Sequence, residues 1–240
     1  LHIHNFQHPS RSNGADRLAD GLKALELSLQ LAKKIDAIWL FLGDAKQTRT
    51  LWNQRALDGI LQRFDQYSEI PKVMICGNHD GAGLHESAAS GLTPFQRYAT
   101  VVTEPTIAAL SGLKVAFWPW QPTLEALPQF LSDCKEGRVR IIFGHAFIKG
   151  SALGAEEIRL ENAGIPLQTF GMLGPRPKRI FDWGFFGDVH KQQTLGDPTI
   201  VRAACVYVPG SPYAQSWGEQ ELGKGVLVAI LSDKGVESVK

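Results

Sequence analysis

Asparagine, histidine and aspartate residues follow four short apolar runs of this sequence, each close behind a glycine. Gly43-Asp44 follows residues 38–42, Gly77-Asn78-His79-Asp80 follows residues 73–76, Gly144-His145 follows residues 139–143, and Gly187-Asp188-Val189-His190 follows residues 183–186. Carboxylate and amide oxygens and imidazole nitrogens are all groups that bind divalent metals. The repeated ending therefore indicates a metal site.

The apolar runs themselves are typical of buried strands, because they are short and rich in β-branched and aromatic residues. A glycine lets the backbone turn tightly beneath a ligand. Strand ends of an α/β sheet share one edge, so we expect the polar residues to converge there.

The rest of the chain predicts helices between these strands. Leu18, Leu22, Leu25, Leu29 and Ala32 recur at helical spacing, and further helices are predicted for residues 50–66 and 122–135. Strands are predicted near residues 72–76, 113–118 and 139–143. Successive strands without helices are predicted at residues 200–201, 205–208, 225–231 and 235–239. This change of pattern indicates a mixed sheet, one of two packed together.

Composition is compatible with one large α/β domain, since 240 residues with 44% hydrophobic content can bury a substantial core. The three cysteines are odd in number and lie in apolar segments, which argues against disulfides and for a reducing compartment. No apolar run approaches the ~18 residues of a membrane span, and no signal peptide is visible. We therefore expect a soluble cytoplasmic protein without membrane contact.

A net charge of +1 gives no bulk electrostatic sign of a polyanionic partner. The densest local basic cluster is formed by Arg176, Lys178 and Arg179. Taken alone, this cluster is better explained as a solvated loop.

The motifs resemble those of the calcineurin-like metallophosphoesterases. That family carries Asp-x-His, Gly-Asp, Gly-Asn-His-Asp or Glu, a lone His and Gly-His-x-His, in this order and at strand ends. Asp44, Asn78, His79, His145 and His190 match in type and order. The resemblance implies an α/β sandwich of two mixed β-sheets flanked by helices, with residues 1–240 as a single metallophosphoesterase domain.

Two positions depart from the family pattern. Leu1-His2-Ile3 resembles the tail of Asp-x-His, so we expect the aspartate immediately before Leu1, with the first strand missing from this sequence. We also expect no C-terminal capping domain. Asp188 stands where the family has a histidine; a carboxylate can replace it as ligand and suits manganese and magnesium. The alternative for Asp188 is a turn residue after Gly187.

The resemblance implies a role for each of these residues. One metal is held by Asp44, Asn78, His145 and Asp188, and the other by His2, Asp44, His190 and the missing aspartate, with Asp44 bridging. His79 faces the scissile phosphate and stabilises or protonates the leaving oxygen. The expected cofactors are two divalent ions, Mn²⁺ first and Mg²⁺ or another divalent ion as alternatives. Such a pair activates water and stabilises the attacking and leaving oxygens.

Two further segments resemble SbcD-type and related phage recombination nucleases. They are residues 181–191 and Pro209-Gly210-Ser211-Pro212-Tyr213, the latter followed by Trp217-Gly218-Glu219 and residues 224–228. This resemblance implies exonuclease or endonuclease activity on DNA in recombination or repair, a homodimer, and an SMC-like, SbcC-type coiled-coil ATPase as partner. Candidate substrate contacts are Gln47, Arg49, Arg176 and Lys178. Gln47 occupies a position where those nucleases commonly have His or Asp.

Two other functions fit the same residues. A phosphodiesterase or phosphatase acting on small molecules uses the same metal centre, and fold and metals alone do not separate it from a nuclease. A catalytically degenerate scaffold is suggested by the absent aspartate, Asp188 and Gln47. Retention of His79 argues against the scaffold, which has no chemical need for that group.

Overall fold

The computed structural model describes residues 3, 17–47, 51–81, 90–153, 158–159, 163–174, 179–196, 204–214 and 223–240. The chain forms two compact units, Leu1–Thr103 and Glu104–Lys240. The single domain expected from the sequence stays a prediction. Each unit is described by itself below.

The first unit contains a parallel three-stranded sheet and two helices. Its elements are α1 (Arg17–Lys34), β1 (Trp39–Phe41), α2 (Gln54–Gln66), β2 (Lys72–Ile75), a short 3-10 helix (Thr93–Phe95) and β3 (Thr100–Val102). The strand order is β1-β2-β3, and both pairings are parallel. Parallel pairing brings the carboxyl ends of β1 and β2 to the same edge.

Apolar spacing explains why the helices of this unit form and which face they bury. The predicted α1 is confirmed, with Leu25 and Leu29 fully buried. Helix α2 begins at Gln54 rather than at residue 50 because the Asn53 side chain accepts a hydrogen bond from the Ala56 N–H at 3.1 Å and caps the helix. Phe64 from α2 joins the core, where burying such a side chain contributes roughly 1.5–3 kcal/mol.

The second unit is built around a six-stranded sheet. Its elements are β4 (Thr106–Leu110), β5 (Leu113–Trp118), α3 (Leu127–Glu136), β6 (Ile141–His145), β7 (Ala152–Leu153), β8 (Ile158–Arg159), a 3-10 helix (Leu167–Phe170), β9 (Trp183–Gly187), β10 (Gln193–Leu195), β11 (Cys205–Val208), β12 (Ala229–Ser232) and β13 (Gly235–Val239). The sheet order is β10-β11-β9-β6-β5-β4, with β7–β8 and β12–β13 forming two separate hairpins. The four central strands are parallel, and both edge strands are antiparallel to their neighbours.

A row of stacked aromatic rings crosses the four central strands. Phe117 and Phe143 lie 5.8 Å apart between ring centroids, and Phe143–Phe185 and Phe185–Tyr207 are each 5.1 Å apart. Each pair is also a register pair of the sheet, so the rings reinforce the hydrogen-bond register. Each stacked pair contributes about 0.5–1.5 kcal/mol beyond its burial.

The predicted fold class is confirmed as a mixed α/β protein with several sheets and flanking helices. β13 has the predicted bounds, and β12 begins at Ala229 rather than residue 225. The predicted strand at residues 200–201 lies outside the described residues. Among the helices the structure describes, none has the length and apolar character needed to cross a membrane.

The three thiols give a test of this fold. Cys76, Cys134 and Cys205 are buried thiols that form no disulfide, and burial raises the pKa of Cys76 and of Cys134 to about 12. We expect no reaction with a thiol reagent at pH 8 in the native protein and three equivalents in denaturant, because the thiolate is the reactive form. Rapid native labelling of Cys76 or Cys134 would contradict the described core.

Candidate metal centre

Asp44 lies in a tight turn directly after β1. Gly43 has φ of 100° and Asp44 has φ of 62°, so two consecutive residues adopt left-handed backbone. Only glycine adopts this conformation readily, and a non-glycine residue there costs energy that the surroundings must offset. The Asp44 side chain is buried, and its Oδ1 accepts a hydrogen bond from the backbone N–H of His79 at 2.9 Å. The carboxylate is therefore fixed relative to the loop after β2.

A second carboxylate, Asp80, holds the two loops together. It is fully buried, and its oxygens accept backbone N–H groups of Asp44 at 2.7 Å, Ala45 at 2.8 Å and Gly77 at 2.9 Å, with Lys46 at 3.4 Å. A buried anion needs such donors, because it has lost the hydrogen bonds of water. Asp80 is thus a structural link between the loop after β1 and the loop after β2.

His79 and Asn78 lie in the loop that Asp80 anchors, and both are half-buried. The Nδ1 atom of His79 is 2.6 Å from the carbonyl oxygen of Gln47. A carbonyl only accepts, so we assign the hydrogen to Nδ1. The contact that Gln47 makes with His79 is therefore formed by its backbone oxygen and not by its side chain.

The second unit carries its predicted ligands at the ends of two neighbouring parallel strands. His145 ends β6 and lies opposite Gly187 of β9 in the register, and Asp188 follows directly. The sheet therefore brings together two residues that are distant in sequence. His145 is 1% exposed, whereas the Asp188 side chain is 26% exposed.

The spacing of this pair fits one divalent cation. His145 Nε2 and Asp188 Oδ1 are 3.6 Å apart, which is longer than a hydrogen bond. Two ligand atoms that each lie ~2.1 Å from one ion are separated by about 3.5 Å at a tetrahedral angle and by about 3.0 Å at the right angle of an octahedral site, so 3.6 Å lies nearer the tetrahedral value. Imidazole suits Zn²⁺, Fe²⁺ and Ni²⁺, and carboxylate suits Mn²⁺ and Mg²⁺, so this pair is a donor set for a divalent cation that does not select one metal. These two residues fit a metal.

His190 lies two residues beyond Asp188 on the same loop, and its backbone oxygen accepts the Ser211 N–H at 3.1 Å. Four predicted site residues, His2, Arg49, Arg176 and Lys178, fall outside the part of the chain that the structure describes. The structure places the remaining predicted residues in two loop pairs, one in each unit: Asp44, Gln47, Asn78 and His79 in the first, and His145, Asp188 and His190 in the second.

Arg179 does not belong to an exposed basic cluster or to a solvated loop. It is 5% exposed, and its Nε donates to Asp182 Oδ1 at 2.8 Å, while Arg140 Nε donates to Asp182 Oδ2 at 2.8 Å. Burial alone would raise the pKa of Asp182, but the hydrogen bonds from the two arginines outweigh it and hold the pKa below its usual value. The prediction that Arg179 belongs to a solvated basic loop is therefore wrong, because its guanidinium forms a buried ion pair with Asp182 just before β9.

Sequence reasoning also missed the role of Asp80. It was visible as the last residue of Gly77-Asn78-His79-Asp80, but its type and position equally suit a metal ligand or a turn. Its structural role is visible only from the burial of its carboxylate and from the four backbone N–H groups that donate to it.

Comparison with known proteins gives a partial structural likeness and no sequence match. No protein-family model matches the chain, and no curated protein is similar to it in sequence. Among solved structures, it is similar to TT1561 of Thermus thermophilus, with 15% identity and a TM-score of 0.46, covering 79% of this chain and 84% of that chain. A likeness at this level assigns no activity to the chain.

Asp80→Asn tests the link between the two loops. The amide places an NH₂ group where one oxygen accepted backbone N–H groups, so buried donors lose their acceptor. We expect the free energy of unfolding in urea to fall by about 1–3 kcal/mol. Asp58→Asn, on the exposed face of α2, is the matched control and should change it little. Equal stability of the two variants would contradict the link.

The Asp188→Gly variant tests whether Asp188 is a metal ligand or only a turn residue. Asp188 has φ of 106°, which glycine adopts without strain, so the variant should be as stable as the wild type or more stable by up to about 1 kcal/mol. If the carboxylate is a ligand, the affinity for Mn²⁺ in calorimetry should fall more than about tenfold. Unchanged affinity would show that Asp188 serves only the turn.

Proposed function

We propose that this protein is a divalent-metal-dependent phosphoesterase that hydrolyses phosphodiester bonds in DNA. The observation that carries the metal-dependent part is the His145–Asp188 pair, whose Nε2 and Oδ1 atoms are 3.6 Å apart at the ends of adjacent parallel strands. A buried imidazole beside a carboxylate, held without a hydrogen bond between them, supports ion binding.

The proposed ligands follow the family resemblance. Asp44, Asn78, His145 and Asp188 are assigned to one ion, and His2, Asp44 and His190 to a second. Asp44 would be shared between the two ions, because a carboxylate offers two oxygens. The bound ions would supply activation of water and polarisation of a phosphoryl oxygen. Manganese is the proposed native metal, since the proposed ligands include carboxylate and amide oxygens, which suit it.

The chain's own residues supply proton transfer and orientation. With the hydrogen at Nδ1 donated to the Gln47 carbonyl, the His79 ring is held in one orientation and Nε2 can carry a proton to the leaving oxygen. The same residue's backbone N–H donates to Asp44 Oδ1. The position of the His79 ring, the candidate acid, is therefore linked to the position of Asp44, a candidate ligand.

The choice of DNA rests on sequence. Residues 181–191 and the Pro209-Gly210-Ser211-Pro212-Tyr213 segment resemble recombination nucleases, and Arg49, Arg176 and Lys178 are proposed backbone-phosphate contacts. An SbcC-type ATPase partner, a homodimer and a cytoplasmic location belong to the same proposal.

The test is Mn²⁺-dependent cleavage of end-labelled duplex and single-stranded DNA, run beside an aryl phosphodiester. His79→Asn is the decisive variant, because an asparagine amide can still donate to the Gln47 carbonyl but cannot transfer a proton near neutral pH. We expect the cleavage rate to fall by about 10²–10⁴-fold with Mn²⁺ affinity nearly unchanged.

Each other outcome decides against part of the proposal. Hydrolysis of the aryl phosphodiester without DNA cleavage would indicate a small-molecule phosphodiesterase. Silence on every substrate, with no Mn²⁺ bound in calorimetry, would indicate a binding scaffold. DNA cleavage that survives His79→Asn unchanged would remove His79 from the chemistry while keeping the nuclease.

A further inference from the structure

The loop that carries Asp188 and His190 lies against a segment from later in the chain. Gly210 has φ of 75°, and a Cβ atom placed on it would come within 2.7 Å of the Gln192 nitrogen and 2.8 Å of the His190 oxygen. Any other residue would be strained there and would clash with backbone. The glycine thus allows two backbones to meet directly behind the candidate ligands.

Hydrogen bonds then join the two segments at one atom, the backbone oxygen of His190. The Ser211 N–H donates to it at 3.1 Å, and the Lys224 ammonium donates to it at 3.0 Å. Lys224 also donates to Ser211 Oγ at 2.7 Å, and that hydroxyl donates to the Tyr213 oxygen at 2.9 Å. The ammonium is half-buried, so these bonds are partly shielded from water.

The loop is also fixed on its far side. Gln193 Nε2 donates to the Lys191 oxygen at 3.1 Å and to the Ala152 oxygen at 3.0 Å. Val189, between the two candidate ligands, is buried. His190 lies between buried Val189 and Lys191, whose oxygen is bonded to Gln193. Lys224 therefore donates a charge-assisted hydrogen bond to the residue between these two fixed positions.

We propose that Lys224 is a positioning residue for metal binding, which acts through the His190 backbone to hold the Asp188–His190 loop in its ligating conformation. The inference rests on the proposed metal-dependent function and deepens it. A charged donor on a ligand's own backbone restricts the loop before metal arrives, so less conformational entropy is lost on binding. Outer-shell groups of this kind commonly alter metal affinity by about 10–100-fold.

The test compares Lys224→Met with Lys234→Met, which removes an exposed lysine in the β12–β13 turn. In the full chain, we expect Lys224→Met to weaken Mn²⁺ binding at least about tenfold by calorimetry. Hydrogen exchange in residues 186–195 of the metal-free protein should accelerate, because the loop has lost its restraint. Lys234→Met should change neither quantity.

A second variant keeps the inference testable if Lys224→Met does not fold. Ser211→Ala removes the hydroxyl that accepts from Lys224 but leaves the backbone N–H, and it should weaken Mn²⁺ affinity by a smaller factor. The double variant should lose less than the product of the two single losses, since both act through one network. Independent, multiplicative losses would overturn the proposal, as would unchanged affinity in Ser211→Ala.

The outcomes separate this inference from the proposed function. If the wild type binds no Mn²⁺, the metal-dependent function falls, and the exchange data still decide whether Lys224 restrains the loop. If the wild type binds Mn²⁺ and Lys224→Met binds it equally, the positioning role is overturned while the function stands. A lower melting temperature with unchanged affinity and unchanged loop exchange would assign Lys224 to general stability.

Discussion

The buried carboxylate of Asp80 is the constraint on which the first unit's candidate site depends. An anion with no exposure to water is tolerated only where hydrogen-bond donors replace the solvent, and here four backbone amides do so. Those amides belong to the loops after β1 and β2, so satisfying one charge fixes both loops. Asp44 and His79 take their positions from that arrangement and are then joined by their own hydrogen bond.

The second unit reaches a similar result through sheet register rather than through a buried charge. Parallel pairing of β6 with β9 sets His145 opposite Gly187, and the stacked rings, including Phe143 and Phe185, oppose any slip of the register. A slip by one residue would move Asp188 away from the imidazole. At the amino ends of the same two strands, buried Asp182 accepts hydrogen bonds from Arg179 and Arg140 and so links the starts of β6 and β9.

Two of the five non-glycine residues with positive φ in the described part of the chain are candidate metal ligands. Asp44 and Asp188 both have positive φ, an unfavourable conformation for a residue with a side chain, and both directly follow a glycine. Such residues persist only where surrounding bonds over-determine the backbone. Asp80 supplies those bonds for Asp44. For the loop of Asp188 they come from Gln193, Ser211 and Lys224.

Local pattern in the sequence was enough to predict several of the elements and to propose the candidate ligands. Helix α1 follows from leucines at helical spacing, β13 from a short apolar run, and Asp44, His145 and Asp188 from their place after apolar runs, because these signals lie within a few residues of each other. Only the tertiary structure assigned Asp80, Arg179 and Lys224. Asp80 bonds to a residue 36 positions away and Lys224 to one 34 away, so no local periodicity encodes those contacts. Burial, which depends on those contacts, then determines whether a charged side chain is solvated at the surface or hydrogen-bonded in the interior.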